Sequence, residues 1–237
     1  MWVEQAVFTS AQTRHARGYH LVARSPGIQD ALAQTLAVWG PTHDALLEDA
    51  IDFCSLNYFV AHDEWGVLSR TVYGPSEYSG RGGFRLETNL LVVRREQLSG
   101  YGHNPHAMFG TALALGHLRL RQSAPTTLKP IELPGMSLLA DQPNGTTNSR
   151  CEELTEQILR HLPDERVAVI GIPEPWTMLR HVLSHLPQDV RSSISFTTGL
   201  KPSLRRPFAL QFLSSANRTM RHTLGSSGIV AIEADSL

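Results

Sequence analysis

Three runs in the first half of the chain, Leu56 to Ala61, Val67 to Tyr73 and Phe84 to Val93, constrain the fold most. Each is rich in the branched, aromatic and long aliphatic side chains that suit a pleated surface. A short connection joins the first two, and the glycine-rich stretch Gly74 to Gly83 joins the second to the third, so the three read as an antiparallel meander. Val3 to Thr9 and Tyr19 to Arg24 read as two further strands. Ser25-Pro26 supplies a capping hydroxyl and a proline suited to a first helical turn, and Ile28, Leu32, Leu36 and Trp39 follow at helical spacing up to Gly40-Pro41. A second short helix is expected from Thr42 through Glu48. Asn104-Pro105 repeats the cap-then-proline pattern before an apolar helix, Ala107 to Leu118.

Residues 141–149, Asp-Gln-Pro-Asn-Gly-Thr-Thr-Asn-Ser, hold almost nothing that can enter a core and read as a linker. Ser149 with Glu152 forms a capping box for a helix reaching about His161. Val167 to Ile172 is a buried-strand run, and Pro175 opens a helix through Leu186. A helical turn over Pro187 to Ser193 and strands at Ser195 to Thr198, Phe208 to Leu213 and Gly228 to Ile232 complete the order. The expected class is mixed α/β, in two units. Residues 1–140 form a mostly antiparallel sheet with packed helices, and residues 148–237 form a smaller α/β unit. The apolar ending Gly-Ile-Val-Ala-Ile before the last few residues leaves open that further domains follow in a longer protein.

Apolar residues make up 41% and charged residues 18% of the chain, an ordinary globular composition that excludes disorder as the main state. Twenty-one basic and 22 acidic residues leave a net charge of −1, which argues against a general polyanion binder; nucleic acid is not an expected partner. No run approaches a membrane span and no secretory leader opens the chain, so a cytoplasmic protein without membrane partners is expected. Cys54 and Cys151 lie too far apart for a metal motif or a disulfide framework, and two reduced, buried thiols are expected.

The eleven histidines show no ligand spacing. His181 and His185 share a helix flank without the glutamate a zinc protease helix places beside its first histidine. His103 and His106 straddle a helix start without a cysteine or carboxylate nearby in sequence. There is no Gly-x-Ser-x-Gly elbow and no phosphate-binding loop, because Gly80-Arg81-Gly82-Gly83 lacks the following Lys-Ser/Thr. No catalytic residue, cofactor or metal is therefore assigned. Three features remain. Arg14, His15, Arg17, Gly18 and His20 gather polar and cationic groups at the entry to a strand. The loop around Arg81, with Arg85, offers backbone amides and fixed charge to an anion. From Val190 to Ile232 the chain carries Arg191, Lys201, Arg205, Arg206, Arg218 and Arg221 with no acidic residue, a solvated face or a surface for an anionic partner.

Arg14 to Ile28 with Trp39 to Leu46, and Arg70 to Gly74 with Glu77 to Gly83, resemble the N-terminal domain of the bacterial GTPase-associated proteins. Leu186-Pro187, Arg191 and Ser195 to Gly199 are similar to the middle region of such proteins. The resemblance implies a non-enzymatic adaptor or regulatory component of a GTPase-linked conflict or signalling system, whose partner is a protein, a GTPase or an effector-associated chain. It brings no catalytic residues. The recognition surface is expected to include Arg14, His15, Arg17, Tyr19, His20, Arg24 and Ser25 from one segment and Glu77, Tyr78, Arg81 and Arg85 from the other, the two meeting in space. The alternative is an enzyme or a nucleotide or anion sensor built on Arg14, His15, Arg17 and His20 with the Arg81 loop.

Overall fold

The computed structural model describes residues 1–13, 16–77, 83–121, 125–135, 149–162 and 164–234. Strands β1 (Trp2–Gln12), β2 (Arg17–Arg24), β3 (Cys54–Ala61), β4 (Trp65–Ser76) and β5 (Phe84–Arg94) form the expected antiparallel set. Helix α1 (Asp30–Trp39) follows β2, and α2 (Pro105–Ala114) follows a 3-10 turn over Arg95–Tyr101. The two-residue β6 (Ile131–Glu132) pairs with the start of β1. In the second half come α3 (Ser149–His161), β7 (Arg166–Ile170), α4 (Pro175–His185), α5 (Gln188–Arg191), β8 (Phe196–Thr197), β9 (Leu210–Leu213), α6 (Arg218–Ser226) and β10 (Ile229–Glu233). The class is mixed α/β, as the sequence implies.

One sheet runs through both halves, in the order β10-β7-β9-β8-β3-β4-β5-β1-β2. Strands β10, β7, β9 and β8 are mutually parallel, and β8 joins β3 antiparallel through Asn57↔Thr197 and Tyr58↔Phe196. Alternation along the strands sends successive side chains to opposite faces. Tyr58, Leu68, Leu91, Val167 and Val169 meet α2, α3 and α4 on one face, in a core that includes Met108, Phe109, Ile158 and Leu179. On the other face Phe59, Val67 and Leu90 pack with Leu32 and Leu36 of α1, while Ala168 and Ile170 pack with Leu224 of α6.

Two local expectations are corrected. Ser25 does not cap α1, whose N-cap is Gln29. The Ser25 hydroxyl instead accepts the Gln5 amide of β1 at 2.8 Å and donates to the Glu4 carboxylate, so an unpaired strand amide claims it first. Residues 42–48 form no helix: Leu46 bridges to Leu200, the Leu47 amide donates to Gly199 at 3.0 Å, and the Lys201 amide donates to Ala45 at 2.8 Å. Asn104 does cap α2, accepting the His106 amide at 3.0 Å ahead of Pro105 at the first helical position. Cys54 and Cys151 are free, but both are half-buried rather than buried as expected.

Candidate functional site

The geometry begins with a fork in the sheet. Pairing of β1 with β5 stops at Thr9↔Glu87, whereas pairing of β1 with β2 continues to Gln12↔Arg17. Beyond the fork the Leu86 amide and carbonyl of β5 have no strand partner on the β1 side, and side chains take them. The Leu86 amide donates to the Tyr19 hydroxyl at 2.9 Å, and the Thr9 hydroxyl donates to the Leu86 carbonyl at 2.7 Å. An orphaned strand end thus fixes the phenol of β2 in place.

Around Tyr19 the fork gathers polar groups. The Ser10 hydroxyl donates to Glu77 Oε1 at 2.6 Å, and Glu77 Oε2 lies 3.2 Å from His43 Nε2. His43 Nδ1 is 3.4 Å from the Tyr19 hydroxyl, and the two rings meet edge to face at 4.9 Å. An Arg85 guanidinium nitrogen lies 3.5 Å from the Ser10 carbonyl. The Glu77 side chain is 6% exposed against 53% for His43, so a sheltered carboxylate holds an accessible imidazole. Burial pushes the Tyr19 phenol up to about 12, opposed by the Leu86 amide and assisted by Glu77, and the group stays protonated at neutral pH. With the phenol as donor, the compatible histidine tautomer accepts at Nδ1 and carries its proton on Nε2, the nitrogen that faces Glu77 Oε2. A carboxylate-oriented imidazole can move a proton or carry a fixed positive charge. Ser10, the nearby hydroxyl, already donates its proton to Glu77.

The structure therefore brings Tyr19, Glu77 and Arg85 together, and adds Ser10 and His43, which sequence reasoning did not place among the site residues. Arg24 and Ser25 sit at the far end of β2. Arg24 pairs with Asp30 at 2.5 Å, and Ser25 is fully buried in its bonds to Glu4 and Gln5. Arg17 is exposed at the start of β2. His20 bonds the Gly18 carbonyl through Nδ1 at 2.8 Å, and its Nε2 is sheltered without a hydrogen-bond partner among the described residues. Arg14, His15, Tyr78 and Arg81 lie outside the described residues, as does most of the stretch 141–149. A signal for His43 did exist: it stands between a helix-ending Gly40-Pro41 and an aspartate, a turn in which loops commonly present polar groups.

Among the described residues no three histidine, cysteine, aspartate or glutamate side chains gather as a metal-ligand set. Nor is any helix there long and apolar enough to cross a membrane. His181 contacts solvent on the flank of α4, its carbonyl bonded to His185 Nδ1 at 2.8 Å; partial burial and neighbouring Arg180 and His185 lower its basicity.

Fold and fork together define a mixed α/β protein with a polar, side-chain-locked sheet end in its N-terminal half. Residues 2–134 match the family described as GTPase-associated protein 1, N-terminal domain type 2, and the chain belongs to that family. The match contains every residue of the fork, whereas the likeness at 186–199 falls outside it. A search of curated proteins found no match to the chain.

Proposed function

We propose that the chain is a non-enzymatic adaptor or regulatory component of a GTPase-linked bacterial conflict or signalling system, and that it takes a protein partner along β2. The observation that supports this reading is the position of β2: eight residues, Arg17–Arg24, end the sheet, paired to β1 on one side. An edge strand presents backbone donors and acceptors to any extended segment laid beside it, and added strands are a common mode of protein recognition. Its residues are mostly half-exposed, and Arg17 and Arg24 bracket it with charge, which discourages indiscriminate pairing while favouring a partner of matching charge.

The test is affinity purification of the full chain from its native host, identification of the captured protein, and titration of that protein against the wild type and Arg17→Ala. Arg17 is exposed, so the substitution should change stability by no more than about 0.5 kcal/mol. Affinity should fall about tenfold, equivalent to ~1.4 kcal/mol. Unchanged affinity in both Arg17→Ala and Arg24→Ala would refute docking at this edge.

A further inference from the structure

The bridge between residues 45–47 and 199–201 lays a loop of the second half, Lys201 to Arg206, over the turn that follows α1. Between them lies an open cavity of about 640 Å³. Phe8, Tyr19 and His43 line one side, and Lys201, Arg205 and Arg206 line the other. Asp44 is the single carboxylate among the described residues of the lining.

Arg206 is the unusual member. It is only 8% exposed, its Nε is sheltered without a hydrogen-bond partner, and no ion pair reaches its guanidinium among the described residues. Burial lowers its basicity, and the like charge of Arg205 lowers it further. Arg191 shows what a satisfied buried arginine looks like in the same protein. It is equally buried, but its Nε donates to the Leu186 carbonyl at 3.0 Å and its Nη2 to the Ser184 carbonyl at 3.1 Å. A guanidinium keeps its charge, so sheltering its Nε donor without an acceptor beside a like charge is unfavourable, and an anion arriving from outside would offset that cost.

We infer that this cavity binds a small phosphate-bearing molecule, with Arg206 as its buried anchor and Lys201 and Arg205 around the bound anion. Three fixed cations converging on one space exceed what a single carboxylate needs, and the guanidinium fork matches the oxygens of a phosphate. The volume falls within the ~300–1,000 Å³ of small-molecule sites and leaves room for an organic portion against the Phe8 and Tyr19 rings. Asp44 gives that portion a hydrogen-bond acceptor. The site draws on both halves of the chain and, among the described residues, shares Tyr19 with the expected recognition residues.

The experiment is a calorimetric titration of the full chain with inorganic pyrophosphate, beside thermal melts with and without it. The wild type should bind one equivalent saturably and melt higher in its presence. Arg206→Met should lose at least about tenfold in affinity, a factor set by removing a principal charged contact. Its ligand-free melting temperature should equal or exceed that of the wild type, because an uncompensated buried charge has been removed. The double variant Lys201→Ala, Arg205→Ala, which touches less buried positions, should lose affinity while melting as the wild type does. The inference is overturned if the wild type shows no saturable binding, or if Arg206→Met binds equally well. A lower ligand-free melt for Arg206→Met would assign the arginine to the fold and overturn it too. Should Arg206→Met fail to fold, undiminished binding by the double variant would have the same force.

Discussion

Replacing Tyr58 by phenylalanine probes the seam between the two halves. Tyr58 lies on β3, fully buried, with its ring tilted against Phe196 of β8 at 5.7 Å. Its hydroxyl donates to the carbonyl of Ser192, just ahead of β8, at 2.7 Å. The substitution keeps the ring and the packing, and removes one hydrogen bond between residues 134 positions apart. Ser192 is itself buried, so its carbonyl loses a donor where water does not readily replace it. Leaving such a group unsatisfied costs ~1–3 kcal/mol. The middle of that range, about 2 kcal/mol, corresponds to a melting temperature lower by roughly 4–8 °C for a chain of this size. Tyr73→Phe is the control, because the Tyr73 hydroxyl bonds Glu48 and Asp49 in an exposed setting where water can substitute. It should move the melt by no more than a surface change does, about 0.5 kcal/mol. The assay is thermal unfolding followed by circular dichroism and by tryptophan fluorescence, with Trp39 and Trp65 reporting on the first half and Trp176 on the second. The halves share one sheet and one core, so both signals should fall in a single coincident transition that shifts as a whole. Two separated transitions, or a Tyr58→Phe shift no larger than that of Tyr73→Phe, would refute the reasoning.

Two further outcomes follow from the same structure. The polar composition of residues 141–149 should direct a protease there under native conditions, and the pieces should stay associated until denaturant is added, because β8 pairs with β3 and the core draws on both sides of the cut; mass spectrometry and size exclusion of the nicked protein check this. Alkaline pH should destabilise the fold: burial holds the Tyr19 phenol at about 12 and raises that of Tyr58 as well, whereas an unfolded tyrosine ionises near ~10. Raised folded values mean this contribution is complete below pH ~10 and is lost as pH climbs through the folded value, so urea midpoints should be level up to that pH and then decline.

Strand positions were legible in the sequence because alternating and continuous apolar runs leave few other ways to bury them. Helix beginnings were legible only where the capping group had no stronger competitor. Asn104 had none and caps α2; Ser25 had the Gln5 amide, twenty positions earlier, and was drawn into the sheet. Residues 42–48 had helical composition, but Leu46 finds Leu200 across the fold, a contact no local window contains. Helix α6 is not legible in the sequence because its segment offers only Met220 and Leu224 as an apolar pair at helical spacing. Its one readable signal was Asn217, whose side chain accepts the Met220 amide at 2.9 Å.

The candidate site shows why charge counted along a sequence does not sort itself into roles. Six cations stand between Val190 and Ile232 without an acidic residue among them, which as composition suggests a single basic face. Folding separates them by what each finds. Arg191 turns inward onto two carbonyls at the end of α4, the place where a helix leaves acceptors unpaired. Arg221 reaches Glu233, one residue past that interval, and the Ala216 carbonyl. Arg218 opens α6. Lys201, Arg205 and Arg206 are carried by the Leu46–Leu200 bridge to the cavity beside Tyr19 and His43. Backbone carbonyls, which every residue has and no composition reveals, decide the first case, and a long-range strand contact decides the last. Arg206 is buried where Arg205 beside it is exposed, a difference that exists at the level of the fold and at no level below it.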